Sequence, residues 1–190
     1  AARRGEGQPG ASPLPSEAEL RLLKELQLAV NDATKAMDAL PEKDHEKLDQ
    51  LGTRQGEFRQ VLDQLIQKAS GGQMKLGPEP DNQDQLPEEA NVEEIENQEL
   101  DQDLLAGGDD AEKLEKDVNL IGDRMARSKQ RLAINDDPGK ITQTIQERID
   151  KNLDALIEEA RKQQSQSQAS SSKSKPQSGA KPRPGGVKPE

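Results

Sequence analysis

Apolar residues recur at intervals of three and four positions in four stretches of the chain, residues 23–40, 48–69, 111–132 and 141–160. This interval places apolar side chains on one face of an α-helix and is typical of helical bundles and coiled coils. Runs in which apolar β-branched and polar residues alternate, as in strands, are missing from the sequence. The pattern therefore predicts an all-α chain with four helices and no β-sheet.

The same interval predicts which positions of each helix face inward. In the first helix these are Leu23, Leu26, Val30, Ala33, Met37 and Leu40. In the second they are Leu48, Leu51, Gln55, Phe58, Leu62, Leu65 and Ala69. In the third they are Ala111, Leu114, Val118, Ile121, Met125, Ser128 and Leu132. In the fourth they are Ile141, Ile145, Ile149, Leu153, Leu156, Ile157 and Ala160.

Capping residues and helix breakers mark where the first two helices begin and end. Ser16 and Glu19 fit a capping box, in which each side chain accepts a hydrogen bond from the other residue's backbone N–H. Asp44 is a plausible N-cap for the second helix. Pro41 stops the first helix, and glycine 71 with glycine 72 ends the second. Only a short turn separates these two helices, so we expect them to form an antiparallel hairpin.

A second hairpin follows from the turn residues between the third and fourth helices, Asn-Asp-Asp-Pro-Gly at 135–139. A lone hairpin of about 55 residues buries little apolar surface. We therefore expect the two antiparallel hairpins to pack as a four-helix bundle instead of standing apart. The predicted fold class is two helical hairpins, bundled or coiled-coil-like, joined by a linker.

Composition and charge divide the chain into five segments. The formal net charge is −10, and residues 71–110 contain thirteen acidic residues against one lysine. The expected segments are a disordered N-terminal segment (1–15), the first hairpin (16–70), an acidic linker with one short helix at most (71–108), the second hairpin (109–163) and a disordered basic Ser/Lys/Pro tail (164–190). Opposite charges on the linker and the tail should attract each other loosely.

The composition also excludes several classes of function. The chain has no Cys, Trp or Tyr and only one His and one Phe. It therefore cannot form disulfides, thiolate metal sites or multi-histidine metal sites, and it offers almost no aromatic surface for stacking bases. No apolar run approaches the roughly 20 residues of a transmembrane helix. We expect no metal, no cofactor, no enzymatic activity and, because the chain is acidic, no nucleic-acid partner.

His45 is the one residue at which a metal site has to be considered. It lies beside Asp44 and Glu46, and Asp49 follows one helical turn later. Imidazole and carboxylate groups at this spacing are ligands that transition metals accept. An exposed first turn rich in acidic residues explains the same pattern, and we favour that interpretation.

Four residues of the second helix are candidate partner or register contacts: Gly52, Gln55, Gly56 and Phe58. Each glycine costs a helix about 1 kcal/mol relative to alanine, a cost that the close approach of another helix would offset. Gln55 lies between the glycines at an inward position, where a polar residue can fix helix register. A contact with a partner, or a hinge, is the alternative interpretation.

Three stretches resemble a known family. Residues 14–27, read with Val30, Asn31 and Thr34, are similar to a stretch in uncharacterised exported, Gln-rich helical proteins of planctomycete-type bacteria. The Gln-Gly-Glu-Phe-Arg run at 55–59 resembles a following element of that family, in which Leu is usual at the position of Phe58. Residues 117–127 are similar in character to its second helical part. The resemblance implies export and no known activity, so it transfers no functional residue.

Two functions fit these observations. The first is a non-catalytic structural or interaction module that binds a protein partner, or a second copy of itself, through its helix faces. The second is a holdase-type chaperone of the cell envelope that grips clients with hairpin arms. Ala1 is a residue that signal-peptide removal can leave at an N-terminus, although other proteolysis leaves the same end. If Ala1 follows a removed signal peptide, we expect an exported or cell-envelope (periplasmic) protein.

Overall fold

The computed structural model describes residues 14–81 and 110–171. These residues form four helices, α1 (Glu17–Asp38), α2 (His45–Ala69), α3 (Asp110–Ala133) and α4 (Lys140–Ser171). Neither of the two described ranges contains a strand. The predicted all-α fold class is therefore confirmed.

Helices α1 and α4 run antiparallel along their shared length. Near one end, Lys24 Nζ lies 2.6 Å from Asp154 Oδ1. Near the other end, Gln143 Nε2 donates a hydrogen bond of 3.0 Å to Asp38 Oδ2. Residue numbers thus rise on one helix as they fall on the other. This contact joins the first hairpin to the second.

Helices α2 and α3 form the other contact between the hairpins and are also antiparallel. A Cβ atom placed on Gly52 would lie 2.6 Å from Cβ of Ala133, and Arg59 Nε donates to the carbonyl of Gly122 at 3.1 Å. Each helix therefore packs against two antiparallel neighbours in the order α1, α2, α3, α4. The two hairpins form an up-down-up-down four-helix bundle.

The predicted helix boundaries of the first hairpin agree with the structure. The Ser16 hydroxyl accepts the Glu19 N–H at 3.3 Å, and the Ser16 N–H donates to the Glu19 carboxylate at 3.0 Å, which completes the capping box. Asp44 Oδ1 accepts the Lys47 N–H at 3.2 Å. Helix α2 ends at Ala69, and two residues later Gly71 has φ of +64°, a conformation that glycine adopts without steric cost.

The apolar core consists of two clusters that meet near the middle of the bundle. The larger cluster contains residues from all four helices, among them Leu23, Leu62, Ile121, Met125, Ile149 and Leu153. The smaller cluster lies toward the α1–α2 connection and contains Val30, Met37, Leu48, Leu51 and Leu132. The inward positions predicted for α3 and α4 are buried throughout residues 114–132 and 145–160.

The inward face of α1 differs from the prediction. Leu26 and Leu40 are 39% and 44% exposed, and Ala33 is half-buried. The buried positions include Gln27 and Thr34 in their place. The buried positions have the predicted three-and-four spacing, but the buried row is rotated about the helix axis so that it includes Gln27 and Thr34. These polar side chains can be buried because they have hydrogen-bond partners on the other helices.

Two segment boundaries also differ from the prediction. Leu14, which the sequence assigns to a disordered N-terminal segment, is buried in the larger cluster. Helix α4 continues to Ser171, so the predicted boundary at residue 163 falls inside it. The predictions for residues 1–13, 82–109 and 172–190 lie outside the described residues.

Residues 73–81, predicted as the start of the linker, form a strap across α2 and α3. Leu76 is buried in the larger cluster, with its side chain against Gly122 of α3. The Gly77 N–H donates to Asn119 Oδ1 at 2.9 Å. The glycine on α3 leaves room for the leucine, since an added Cβ would lie 3.1 Å from the Leu76 methyl carbons.

Candidate interaction surfaces and the polar layer of the core

A layer of hydrogen-bonded polar side chains crosses the core where the two apolar clusters meet. Every helix contributes to it. Its members, called the polar layer here, are Gln27, Asn31, Thr34, Gln55, Ser128, Gln146 and Asp150. Buried polar side chains are stabilising only when their donors and acceptors are paired, so the geometry of each one matters.

The α1–α2 half of the polar layer is built on a glutamine pair. Gln27 Nε2 donates to Gln55 Oε1 at 2.9 Å, and Gln55 Nε2 donates to Gln27 Oε1 at 2.6 Å. Gln27 Nε2 also donates to Asn31 Oδ1 at 2.8 Å. Both glutamines are fully buried. The pair fixes the register of the first hairpin, because sliding either helix would separate the two amides.

The α4 half of the polar layer exchanges hydrogen bonds with α1 and α3. Asn31 Nδ2 donates to Asp150 Oδ2 at 2.5 Å. Gln146 Nε2 donates to Thr34 Oγ1 at 3.0 Å and to Ser128 Oγ at 3.2 Å. One fully buried side chain of α4 therefore contacts both α1 and α3. These bonds connect the two hairpins through the centre of the molecule.

Within the part of the chain that the structure describes, two acceptor atoms of the polar layer have no hydrogen-bond partner, Oε1 of Gln146 and Oδ1 of Asp150. Burial raises the pKa of Asp150 to about 6, while the Lys24 ammonium and the hydrogen bond from Asn31 act in the opposite direction. Desolvation thus outweighs the nearby positive charge. This carboxyl group is the most strongly perturbed acid in the core.

The four candidate contact residues of α2 lie on its inward side and touch other parts of the same chain. Gly52 and Gly56 face α3, where a Cβ on Gly56 would lie 3.0 Å from Cδ of Lys129. Gln55 pairs with α1, as described above. Phe58 is half-buried and packs against both apolar clusters. The glycines therefore allow α2 and α3 to approach closely.

A set of buried arginines was not recognised from the sequence. Its members are Arg59, Arg124, Arg127, Arg131 and Arg148. Arg131 Nε donates to Thr142 Oγ1 at 2.9 Å, and its guanidinium also pairs with Asp137. Arg59 Nη2 donates to the carbonyl of Gly77 in the strap at 2.5 Å. Arg59, Arg124 and Arg131 thus bind oxygen atoms of neighbouring segments, a role that spacing along one helix does not reveal.

The outer side of the first hairpin carries exposed apolar residues. Leu22, Leu26 and Val61 are 63%, 39% and 37% exposed, and together they are called the α1–α2 patch. Leu26 lies two turns after Glu19, and Val61 lies two turns before Lys68, a residue whose ammonium is 2.8 Å from Glu19. Residues two turns apart share a helix face. The antiparallel register therefore brings Leu26 level with Val61 beside this ion pair.

His45 takes part in an ion pair at the surface. Its Nδ1 lies 3.0 Å from Asp136 Oδ2, and the side chain is 75% exposed. The Asp136 carboxylate raises the pKa of the imidazole. Among the residues with described side chains, no group of three or more His, Cys, Asp or Glu is arranged to hold a metal ion. The contact joins the beginning of α2 to the α3–α4 turn.

Comparison of the chain with protein-family models, with curated proteins and with solved structures gives no match. Within the described ranges, none of the helices combines the length and the apolar character that crossing a bilayer requires. The resemblance to exported helical proteins, and with it the envelope location, stays a prediction. A proposal for function has to come from the surfaces of the bundle.

Proposed function

We propose that this chain is a non-catalytic interaction module that binds an amphipathic helix of a partner protein along the outer side of α1 and α2. The observation that carries the proposal is the α1–α2 patch. Large apolar side chains on two adjacent helices are there exposed together. Contiguous apolar surface rimmed by polar residues is typical of protein–protein contacts.

The form of the patch favours a helix as the partner element. Leu22 and Leu26 are one turn apart on α1, and the register places Val61 of α2 level with Leu26. A helix laid along two adjacent helices contacts them through residues spaced by three and four positions. The Glu19–Lys68 ion pair stands at one end of the patch and supplies a polar rim. A partner helix would bury the leucines between its own apolar side chains.

The holdase alternative has less support. A chaperone with hairpin arms needs apolar surface on those arms to hold its clients. In the bundle, the inner faces of both hairpins are buried against each other, as Leu62 of the first and Ile149 of the second illustrate. The large apolar side chains left exposed on the first hairpin are few, Leu22, Leu26, Leu40 and Val61, which suits one partner helix better than an unfolded chain.

Site-specific photocross-linking tests the proposal. A photoreactive amino acid replaces Leu22 in the full chain, and irradiation follows in a lysate of the source cells. We expect a discrete cross-linked protein that is lost when Leu26→Gln and Val61→Gln are added. The matched control is Ile134→Gln, which removes another exposed apolar side chain far from the patch.

Three outcomes are informative. Loss of the cross-link in the patch variant, with retention in the Ile134→Gln control, supports the proposal. A cross-link that survives both sets of substitutions contradicts it. A cross-linked product made only of this chain, together with concentration-dependent sedimentation that Leu22→Gln abolishes, would show that the partner helix belongs to a second copy.

A further inference from the structure

The two acceptor atoms without partners lie one turn apart on α4. Gln146 and Asp150 are separated by four residues, so their side chains share a helix face. Helical side chains lean toward the N-terminus of their helix, which directs Asp150 toward Gln146. Oε1 of the glutamine and Oδ1 of the aspartate are both buried and both lack a donor. A hydrogen atom bound to Oδ1 and directed at Oε1 would satisfy both.

We propose that the bundle core contains a proton-binding site, in which Asp150 takes up a proton from solvent at Oδ1. The resulting O–H group donates a hydrogen bond to Oε1 of Gln146. The bond that forms is the O–H bond of a neutral carboxyl group, and the bond that breaks is an O–H bond of the hydronium ion in solvent that delivers the proton. The core loses one negative charge. The ligand of the site is the proton itself.

The orientation of the Gln146 amide follows from its neighbours. The Thr34 hydroxyl donates its one hydrogen to the Val30 carbonyl at 2.9 Å, so its oxygen can only accept a further hydrogen bond. The nitrogen of Gln146 donates that bond at 3.0 Å. The amide oxygen must therefore point elsewhere. If the amide group were rotated by half a turn, Oε1 of Gln146 would face Oγ1 of Thr34, and two acceptors would meet with no hydrogen between them.

The orientation of the Asp150 carboxyl group is fixed in the same way. Gln27 donates to Asn31 Oδ1, which leaves the nitrogen of Asn31 to face α4. That nitrogen donates to Oδ2 of Asp150 at 2.5 Å. Oδ1 is then the oxygen that remains for a proton. A chain of donors running from α2 through α1 thus ends at the aspartate and supplies one hydrogen bond to it.

The charged groups near Asp150 come from α1 and α4. Lys24 and Lys35 of α1 favour the ionised form, and Asp154 opposes it. Each lysine is already paired, Lys24 with Asp154 at 2.6 Å and Lys35 with Glu147 at 3.1 Å. The carboxylate partner of each lysine therefore offsets much of its positive charge and weakens its effect on Asp150. The pKa of Asp150 at about 6 has burial as its largest cause.

The other two helices contribute only neutral groups to the polar layer. Helix α2 supplies Gln55 and α3 supplies Ser128, neither of which titrates in the physiological range. Neither side chain carries a positive charge that could neutralise the Asp150 carboxylate in place of a proton. The titration of the site is thus set by Asp150, its burial and the two lysines of α1.

The site gives the bundle a dependence on pH opposite to that of most acidic side chains. An unfolded aspartate has a pKa near 4, so between about pH 4 and 6 the folded chain holds a proton that the unfolded chain has lost. The contribution of Asp150 to stability is therefore largest at low pH. It falls as the pH rises through that range and stays low above it.

Carboxyl ¹³C NMR of the full chain, with resonances assigned through the backbone, tests the proposal directly. We expect the Asp150 carboxyl to titrate with a midpoint near 6. Urea unfolding of Asp150→Asn supplies the second measurement. A neutral amide can donate to Gln146 as the protonated acid does. Relative to this variant, the folding equilibrium of the natural chain should weaken up to about a hundredfold between pH 4 and pH 8.

The matched control is Asp154→Asn, which removes a carboxylate one turn away that is largely exposed. It should not reproduce this pH-dependent difference. An Asp150 midpoint at or below 4 would overturn the proposal, because a bound water or cation would then be satisfying the two oxygens. Equal pH dependence of the natural chain and Asp150→Asn would overturn it as well. If the variant does not fold, the NMR titration decides alone.

Discussion

Gln27 and Gln55 exchange two hydrogen bonds, of 2.9 and 2.6 Å, across the interior of the first hairpin. Both side chains are fully buried, and the two apolar clusters meet where they lie. A reciprocal amide pair has a single productive alignment, whereas leucines can slide past each other at little cost. The pair therefore contributes more to the specificity of packing than to its strength.

Removing one member of this pair should destabilise the bundle. In Gln55→Leu, Gln27 keeps its bond to Asn31 but loses its partner on α2, which leaves a buried acceptor unsatisfied. We expect a loss of about 1–3 kcal/mol in the free energy of unfolding, measured with urea. The double variant Gln27→Leu, Gln55→Leu should recover part of this loss. A double variant that loses the sum of both single effects would show that the two amides are not coupled.

The sequence predicts the parts of the core in which burial coincides with apolar character. On α3 and α4 spacing alone identifies the buried apolar positions, as Ile121 and Leu153 illustrate, although it misses the polar side chains that are buried beside them. On α1 two of the inward positions are Gln27 and Thr34. Another row of residues, which passes through Leu26 instead of Gln27, is apolar and has the same spacing. Only the hydrogen-bond partners on α2 and α4 determine which of the two rows is buried.

Contacts between distant segments could not be predicted from local pattern. From the sequence, Arg59 is expected to be a charged residue exposed to solvent. It is buried because the carbonyl oxygens of Gly77 and Gly122 accept its hydrogen bonds. Leu76 stands in a Gly- and Pro-rich stretch that suggests a linker. It is buried because Gly122 opens a space for it on α3. Each of these positions depends on a residue at least 18 positions away in sequence.

The two glycines of α2 should respond differently to the same substitution. In Gly52→Ala the new Cβ would lie 2.6 Å from Ala133 Cβ and 2.9 Å from two backbone atoms of α3. The helices must then separate, and we expect a net loss of about 1–3 kcal/mol despite the better helix propensity of alanine.

Gly56→Ala is the matched control for this substitution. Its Cβ would meet only the flexible side chain of Lys129, at 3.0 Å. Because that side chain can move, the gain in helix propensity should dominate, and stability should be unchanged or higher by up to about 1 kcal/mol. Thermal unfolding of the two variants side by side is the measurement. Equal losses would contradict a close α2–α3 contact at Gly52.

The strap is expected to depend on its one buried leucine. In Leu76→Ala the side chain that fills the space beside Gly122 is lost, so the strap should detach more often. Limited proteolysis should then cleave within residues 73–81 several-fold faster than in the natural chain. Lys75→Ala, a change at an exposed neighbour, is the control. Unchanged cleavage of the Leu76→Ala chain would show that other contacts hold the strap.

The capping box should make the bundle sensitive to acid through Glu19. Hydrogen bonds from Lys68 and Ser16 lower the pKa of this carboxyl to about 2. The folded state therefore favours the ionised form, so the stabilisation is complete above about pH 4.5 and is lost as the pH falls through 2. This sign is opposite to that of Asp150, and the two groups act in different pH ranges.

Unfolding of Glu19→Gln against the natural chain measures this contribution. The natural chain should be the more stable at pH 7, and the difference should vanish toward pH 2. Ser16→Ala should cost about 1 kcal/mol at neutral pH, since it removes the N-cap of α1. In a Lys68→Met background the loss of stability caused by Glu19→Gln should be smaller, because the hydrogen bond from Lys68, the largest cause of the lowered pKa, is then absent. A difference that persists unchanged at low pH would mean that Glu19 stabilises α1 by packing and not by its charge.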